Sequence, residues 1–314
     1  ERTQQWNISI GREFWGTAID ISYVGTKGKN LPFTDDLNLL RPSTAKYDPS
    51  KVAFPEFSYI SLIQTGGSSI YHGFNIQADR KVRGGLNFNV NYTWCKGLSD
   101  VTLGSYTNSA AQNQYARYLE RADDPSLRRQ QLRFSYIWEL PFGRNRHFLN
   151  SIPRSLNLLV GGWQLSGITT MQTGARLNPS FSGKDPTNTN QYSGRPDRIG
   201  NGNYDAGLMR DNIKARKAIF DKSAFVIPAS GRGYYGNSAR YILTGPGTMN
   251  FNVVAAKGFY LSDQVRLQFR TEFFNAFNHA NFSNPGTNVG SSSFSVVTGA
   301  SAGRRVLFGL RLDY

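Results

Sequence analysis

Few residues in this 314-residue chain have the types and spacing that chemistry demands. His72, His147 and His279 lie far apart and offer no His-x-x-x-His pair for a metal, and no spacing nominates a Ser-His-Asp set. Gly231-Arg-Gly-Tyr-Tyr-Gly236 spells the G-x-G-x-x-G of a dinucleotide site. That motif works only between a strand and a helix, whose first amides receive the pyrophosphate. Ile227-Pro-Ala-Ser precedes it here and Asn-Ser-Ala-Arg follows, so a glycine-rich turn is expected. Asn201-Gly-Asn-Tyr-Asp205 alternates oxygen ligands as calcium loops do, but its glycine is displaced to Gly207 and no bidentate Glu follows. Asp123-Asp124-Pro125 reads as the start of a turn. No catalytic, cofactor or metal residue is assigned, and the chain is not read as an enzyme.

Charge is the next candidate for chemistry. The formal net charge is +15, which asks for an anionic neighbour. The cations are scattered rather than gathered in one block, which argues against nucleic acid. The densest group, Arg210 to Lys222, combines five cations with Ile213, Ala218 and Ile219. It reads as a solvated loop face, with a short basic helix touching anionic lipopolysaccharide or an anionic ligand as the sharper alternative.

These side chains must be held by strands. Tyr (16), Phe (21) and Gly (32) are plentiful, and the one cysteine, Cys95, excludes an internal disulfide. Mean hydropathy is −0.45, and no apolar run reaches the roughly 18–20 residues of a membrane helix. Period-two alternation marks nine strands: 4–12, 16–24, 71–82, 86–94, 130–140, 161–174, 247–257, 264–276 and 304–314. In the fourth, Leu86, Phe88, Val90, Tyr92 and Trp94 alternate with Asn87, Asn89, Asn91 and Thr93. In the last, Val306, Phe308, Leu310, Leu312 and Tyr314 oppose Arg305, Gly309, Arg311 and Asp313.

The connections alternate short and long without exception: 11–15, 25–70, 83–85, 98–129, 141–160, 175–246, 258–263 and 277–303. Short turns at one end and long loops at the other are the rhythm of a transmembrane β-barrel, and a β-sandwich has no reason to show it. With the C-terminus periplasmic, every long connection lies outside. Trp15, Trp138, Phe142, Trp163, Phe259, Tyr260 and Tyr314 then form the inner aromatic girdle, with Trp94 near the outer one. Nine strands is odd, whereas bacterial single-chain barrels have an even count. The expected fold is thus all-β, an antiparallel up-and-down transmembrane β-barrel, incomplete, with at least one strand upstream of Glu1. An unclosed sheet has two unpaired edges in lipid, so the chain is not expected to form a stable barrel alone.

Several stretches carry a family resemblance. They are Ala18-Ile-Asp-Ile-Ser-Tyr-Val-Gly-Thr-Lys-Gly, Asn89-Val-Asn-Tyr-Thr-Trp-Cys-Lys-Gly (where members usually carry Ser at the Cys95 position), Phe134-Ser-Tyr-Ile-Trp-Glu-Leu-Pro-Phe-Gly143 and Gly161-Gly-Trp-Gln-Leu-Ser-Gly-Ile. The most distinctive are Arg270-Thr-Glu-Phe-Phe-Asn-Ala-Phe-Asn-His-Ala-Asn-Phe-Ser-Asn-Pro285 and the terminal Phe308-Gly-Leu-Arg-Leu-Asp-Tyr. Together these stretches resemble the C-terminal barrel portion of Oar-like TonB-dependent outer-membrane receptors, and the resemblance covers nearly the whole chain. It implies that residues 1–314 are the C-terminal nine strands of one barrel of the 22-stranded class, with signal peptide and plug domain outside this chain.

It further implies energised uptake of a nutrient, with TonB acting through the missing plug region. The alternative is a non-transporting surface protein, an adhesin or secretion-linked scaffold that binds through its loops; a secreted β-sandwich is a third reading. Partners would be outer-membrane lipid, lipopolysaccharide and the barrel-assembly machinery, in the outer membrane of a Gram-negative bacterium. Phe308, Leu310, Leu312 and Tyr314 resemble the signal that machinery reads. Arg133, Arg266, Arg270, Glu272 and Arg311 are the lumen-facing candidates, and no ligand-binding residue is assigned.

Overall fold

The computed structural model describes residues 1–102, 111–144, 146–260 and 264–314, without the side chains of Val82, Arg83 and Tyr260. Tyr260's place in a girdle therefore lies outside the described residues. Nine long strands are present: β1 (Arg2–Phe14), β2 (Thr17–Asp36), β3 (Ser61–Arg83), β4 (Leu86–Ser99), β5 (Gln130–Glu139), β6 (Trp163–Gln172), β7 (Thr248–Tyr260), β8 (Arg266–Phe274) and β9 (Arg305–Asp313). Each pairs antiparallel with the next, and a two-residue stub, Ala122–Asp123, adds a tenth strand beside the end of β4. β1 and β9 are each bonded on one side only, so the sheet is open.

The register sorts side chains into two faces, because neighbours across a ladder point the same way. Ile10, Ile21, Ile76, Tyr92, Leu132, Met171 and Met249 form one continuous row across seven strands. On the opposite face Gly11, Asp20, Gln77, Asn91, Arg133, Thr170 and Asn250 form another. A one-residue slip anywhere would mix the two, so the alternation itself holds the register.

At one end the strands are joined tightly. Trp15 (φ 47°) with Gly16 (φ 74°), and Gly84 (φ 63°) with Gly85 (φ 80°), are two-residue turns with both residues left-handed, whose twist matches the flanking strands. The first hairpin is tighter than 11–15 implied: Arg12 and Glu13 break the apolar rhythm yet stay in the ladder.

Stretch 25–70 needs a larger correction. β2 and β3 run on to Asp36 and from Ser61, so only 37–60 is loop. The extension is Gly-, Lys-, Ser- and Thr-rich, with a register shift between Lys29 and Pro32, and its apolar pair Leu31 and Phe33 is too short a run to reveal it. Connection 140–162 contains a helix that the alternation did not signal, α1 (Arg154–Val160). The longest connection contains α2 (Ala206–Lys214), earlier than Arg210–Lys222, because Asp205 caps it by accepting from the Leu208 amide. Lys217 and Lys222 lie beyond it.

On the sheet, the described residues bury one small apolar cluster, Leu31 and Phe33 of β2 with Val101 just past β4. The main buried apolar cluster, Ile219, Phe220, Ala224, Phe225, Leu243, Val289 and Phe294, lies within the long connections at the other end.

Candidate functional site

The long connections form one folded cap rather than separate loops. Connections 173–247 and 275–304 share the cluster just described, and backbone bonds weld them. The Ile219 amide donates to Ser295 O (3.0 Å), and Val289 to Ser180 O (2.8 Å). Ser295 Oγ accepts from the Phe220 amide and donates back to the Phe220 carbonyl. Connection 37–60 joins through Ser43, whose amide donates to Thr187 O and whose carbonyl accepts from Asn188 Nδ2 (both 3.0 Å).

Connection 100–129 enters through charge. Glu120, 1% exposed, takes two guanidinium bonds from Arg195 (2.9 and 2.8 Å) and faces Arg240 Nε at 3.7 Å. A carboxylate so deeply buried is tolerated because both oxygens are occupied by cations. A second pair, Asp197 with Arg232, closes the turn around Tyr235. The Arg232 hydrogen bonds hold the Asp197 carboxyl below its ordinary range, while burial pushes the Tyr235 hydroxyl up to about 12.

Under the cap, on the polar face, a cleft of about 440 Å³ opens at the ends of β7, β8 and β9. Thr248, Asn250, Asn252, Asn275, Asn281 and Arg305 line it. Most of these amides are engaged: Asn252 Oδ1 accepts from the Asn275 amide and Asn281 Oδ1 from the Met249 amide. Asn275 Nδ2 donates to His279 O and Ala302 O. Asn275 and Asn278 both adopt positive φ (51° and 53°), and Asn278 Oδ1 accepts from the Arg304 amide.

The distinctive stretch Arg270–Pro285 is thus a latch, its asparagines at 275, 278 and 281 pinning the last long connection to the sheet. In the sequence the stretch stands out by family resemblance and does not display this role. The three-residue Asn spacing was the available signal.

Register places Arg133, Arg266, Arg270, Glu272 and Arg311 on the polar face. They do not converge: Arg270 pairs with Glu272 (2.6 Å), Arg311 with Asp313 (2.7 Å), and Arg133 lies three strands away. Phe308, Leu310 and Leu312 share the apolar face of β9, with Tyr314 just past its end.

The remaining motifs are absorbed by the cap. Gly231 and Gly233 donate their amides to Asp185 O and Pro186 O, in a loop that no helix follows. Asn203 bonds Ile242 and Thr244, and Asp205 caps α2. Asp124 makes the expected turn, accepting from the Ser126 amide (2.9 Å). Among the described residues no cluster could hold a metal ion.

Residues 1–307 match the family described as an outer membrane beta barrel domain. The chain belongs to that family. No curated protein matches it. Among solved structures, this outer-membrane barrel is similar to FpvA of Pseudomonas aeruginosa bound to a heterologous pyoverdine and iron (12% identity, TM-score 0.47, covering 99% of this chain and 27% of that one). It is also similar to BauA, the ferric preacinetobactin receptor of Acinetobacter baumannii (9%, 0.45, 99% and 29%), and to the outer membrane transporter YddB of Escherichia coli (8%, 0.46, 99% and 32%). The chain spans about a quarter to a third of these proteins. Its place in the outer membrane rests on the family and the two-faced sheet.

Proposed function

We propose that this chain is the C-terminal part, as one domain, of the barrel of a TonB-dependent receptor that takes up a nutrient. The apolar face meets lipid, and the polar face, with Arg133, Arg266, Arg270, Glu272 and Arg311, lines the lumen. The cap is extracellular and the tight turns are periplasmic. Phe308, Leu310, Leu312 and Tyr314 are read by the barrel-assembly machinery, and lipopolysaccharide surrounds the outer girdle. TonB acts through a plug supplied by the rest of the receptor.

The observation that carries this reading is the cleft on the polar face directly beneath the cap. A surface adhesin needs only an outward-facing platform, whereas a transporter needs a path from cap to lumen. Loop rigidity favours binding, because ordering entropy is already spent before the ligand arrives.

The test is uptake by cells carrying the full-length receptor as their sole route for a panel of iron chelates, sugars and peptides. Accumulation of one of them should stop when TonB is deleted or a protonophore is added. Accumulation unaffected by either would overturn the transport reading in favour of surface binding. Orientation is tested separately with Cys95→Ser background variants. An impermeant maleimide should label Tyr192→Cys on intact cells and leave Ser151→Cys unlabelled until the membrane is permeabilised.

A further inference from the structure

Helix α1 is built inside out. Its one amide side chain, Asn157, turns toward the chain, where Oδ1 accepts from the Arg144 amide (2.8 Å). Leu156, Leu158 and Leu159 point away and are 49%, 57% and 71% exposed, and no residue of the helix is buried. Phe148 and Leu149 extend the exposed apolar surface. A short helix in water shows the opposite polarity.

Its attachment tells which side of the sheet it occupies. Lys257 stands on the apolar row of β7, in register between Trp163 and Phe269. Its ammonium donates to Leu159 O (3.0 Å) and Gly161 O (2.6 Å), carbonyls at the helix end that lack an intrahelical partner. Trp163 Nε1 also donates to Leu159 O (2.9 Å). The helix is therefore fastened to the face that carries the aromatic and aliphatic rows, at the tight-turn end. Connection 140–162 contains Arg144, Arg146 and Arg154 and no Asp or Glu.

We propose that α1 is an interfacial anchor, its leucines set among acyl chains of the periplasmic leaflet and Arg154 on anionic phospholipid headgroups. This rests on the proposed assignment of the apolar face to lipid and of the tight turns to the periplasm, and it adds an anionic-lipid contact at one turn of the barrel.

The test uses the full-length receptor, Cys95→Ser, in vesicles of phosphatidylcholine and phosphatidylglycerol, with an environment-sensitive fluorophore at Leu158→Cys, Leu310→Cys or Tyr192→Cys. The probe at 158 should be quenched by headgroup-proximal brominated lipid and shielded from iodide, as at 310 and unlike 192. Its quenching should favour brominated phosphatidylglycerol, and Arg154→Gln should cut that preference by up to about fivefold. Iodide quenching at 158 with lipid quenching retained at 310 would overturn the anchor alone, placing the helix in water or on a periplasmic protein. Iodide quenching at both sites would overturn the face assignment and the anchor with it. Lipid quenching at 158 with no phosphatidylglycerol preference would overturn the headgroup contact.

Discussion

The sheet and the cap are stabilised by different surroundings. Along β1 every residue is exposed on both faces, and Ile8, Ile10, Phe308 and Leu310 are mostly uncovered. In the cap, Ile219, Phe220 and Leu243 are fully buried, and even Glu120 is sealed. The sheet is a ladder of backbone bonds with one apolar and one polar face. The cap carries its own dry core and its own counterions. Substitutions should therefore separate the two regions: cap variants loosen loops while the barrel stays intact, and face variants in the sheet barely register.

The largest effect should come from Glu120→Gln, which leaves Arg195 and Arg240 buried without their anion. The expected loss is about 3–5 kcal/mol of local stability, read as faster hydrogen exchange in 112–122 and 193–240 of the full-length receptor. Unchanged exchange would mean the cap is not a cooperative unit. Leu243→Ala should cost about 2–5 kcal/mol in the same assay, because a side chain with no exposure leaves a cavity. Heat-modifiable gel mobility, which reports the barrel, should be retained in both.

Asn281→Ala orphans the Met249 amide and releases the latch, for about 1–3 kcal/mol confined to 275–304. Acid gives a smaller and graded effect. Asp197 sits below its unfolded value, near 3.9, so its contribution is complete above that pH and fades as pH falls through the depressed native value. Loop exchange should accelerate below about pH 4 in the native protein, and Asp197→Asn should flatten that rise. Smallest of all, Arg270→Gln removes a half-exposed ion pair on the polar face and should change stability by about 0–1 kcal/mol. A large loss there would mean that this face is packed against something rather than wetted.

Legibility in the sequence follows the same division. All nine strands were visible, because an apolar face and a polar face impose a period of two on each. Where that constraint lapses the signal lapses too: the outer halves of β2 and β3 are paired strand with little apolar alternation beyond Leu31 and Phe33, and read as loop. Helix α1 was missed because it lies inside a connection that strand alternation does not describe, and Trp163 and the distant Lys257 show which face it joins. In the cap, the ring of Glu120, Arg195 and Arg240 joins residues 75 and 120 positions apart. No local spacing announces such a set.

Local alternation and turn chemistry were thus enough to determine a two-faced, up-and-down sheet with long connections at one end and tight turns at the other. Each of those features depends on neighbours one or two residues apart, and on a membrane that accepts only paired backbone and an apolar face. Only the tertiary structure decided that the long connections fold into one welded cap, that the asparagines after β8 are a latch, and that a cleft opens beneath them. Those depend on side chains brought together across the whole chain, where burial makes each unpaired polar group costly and leaves few arrangements that satisfy them all.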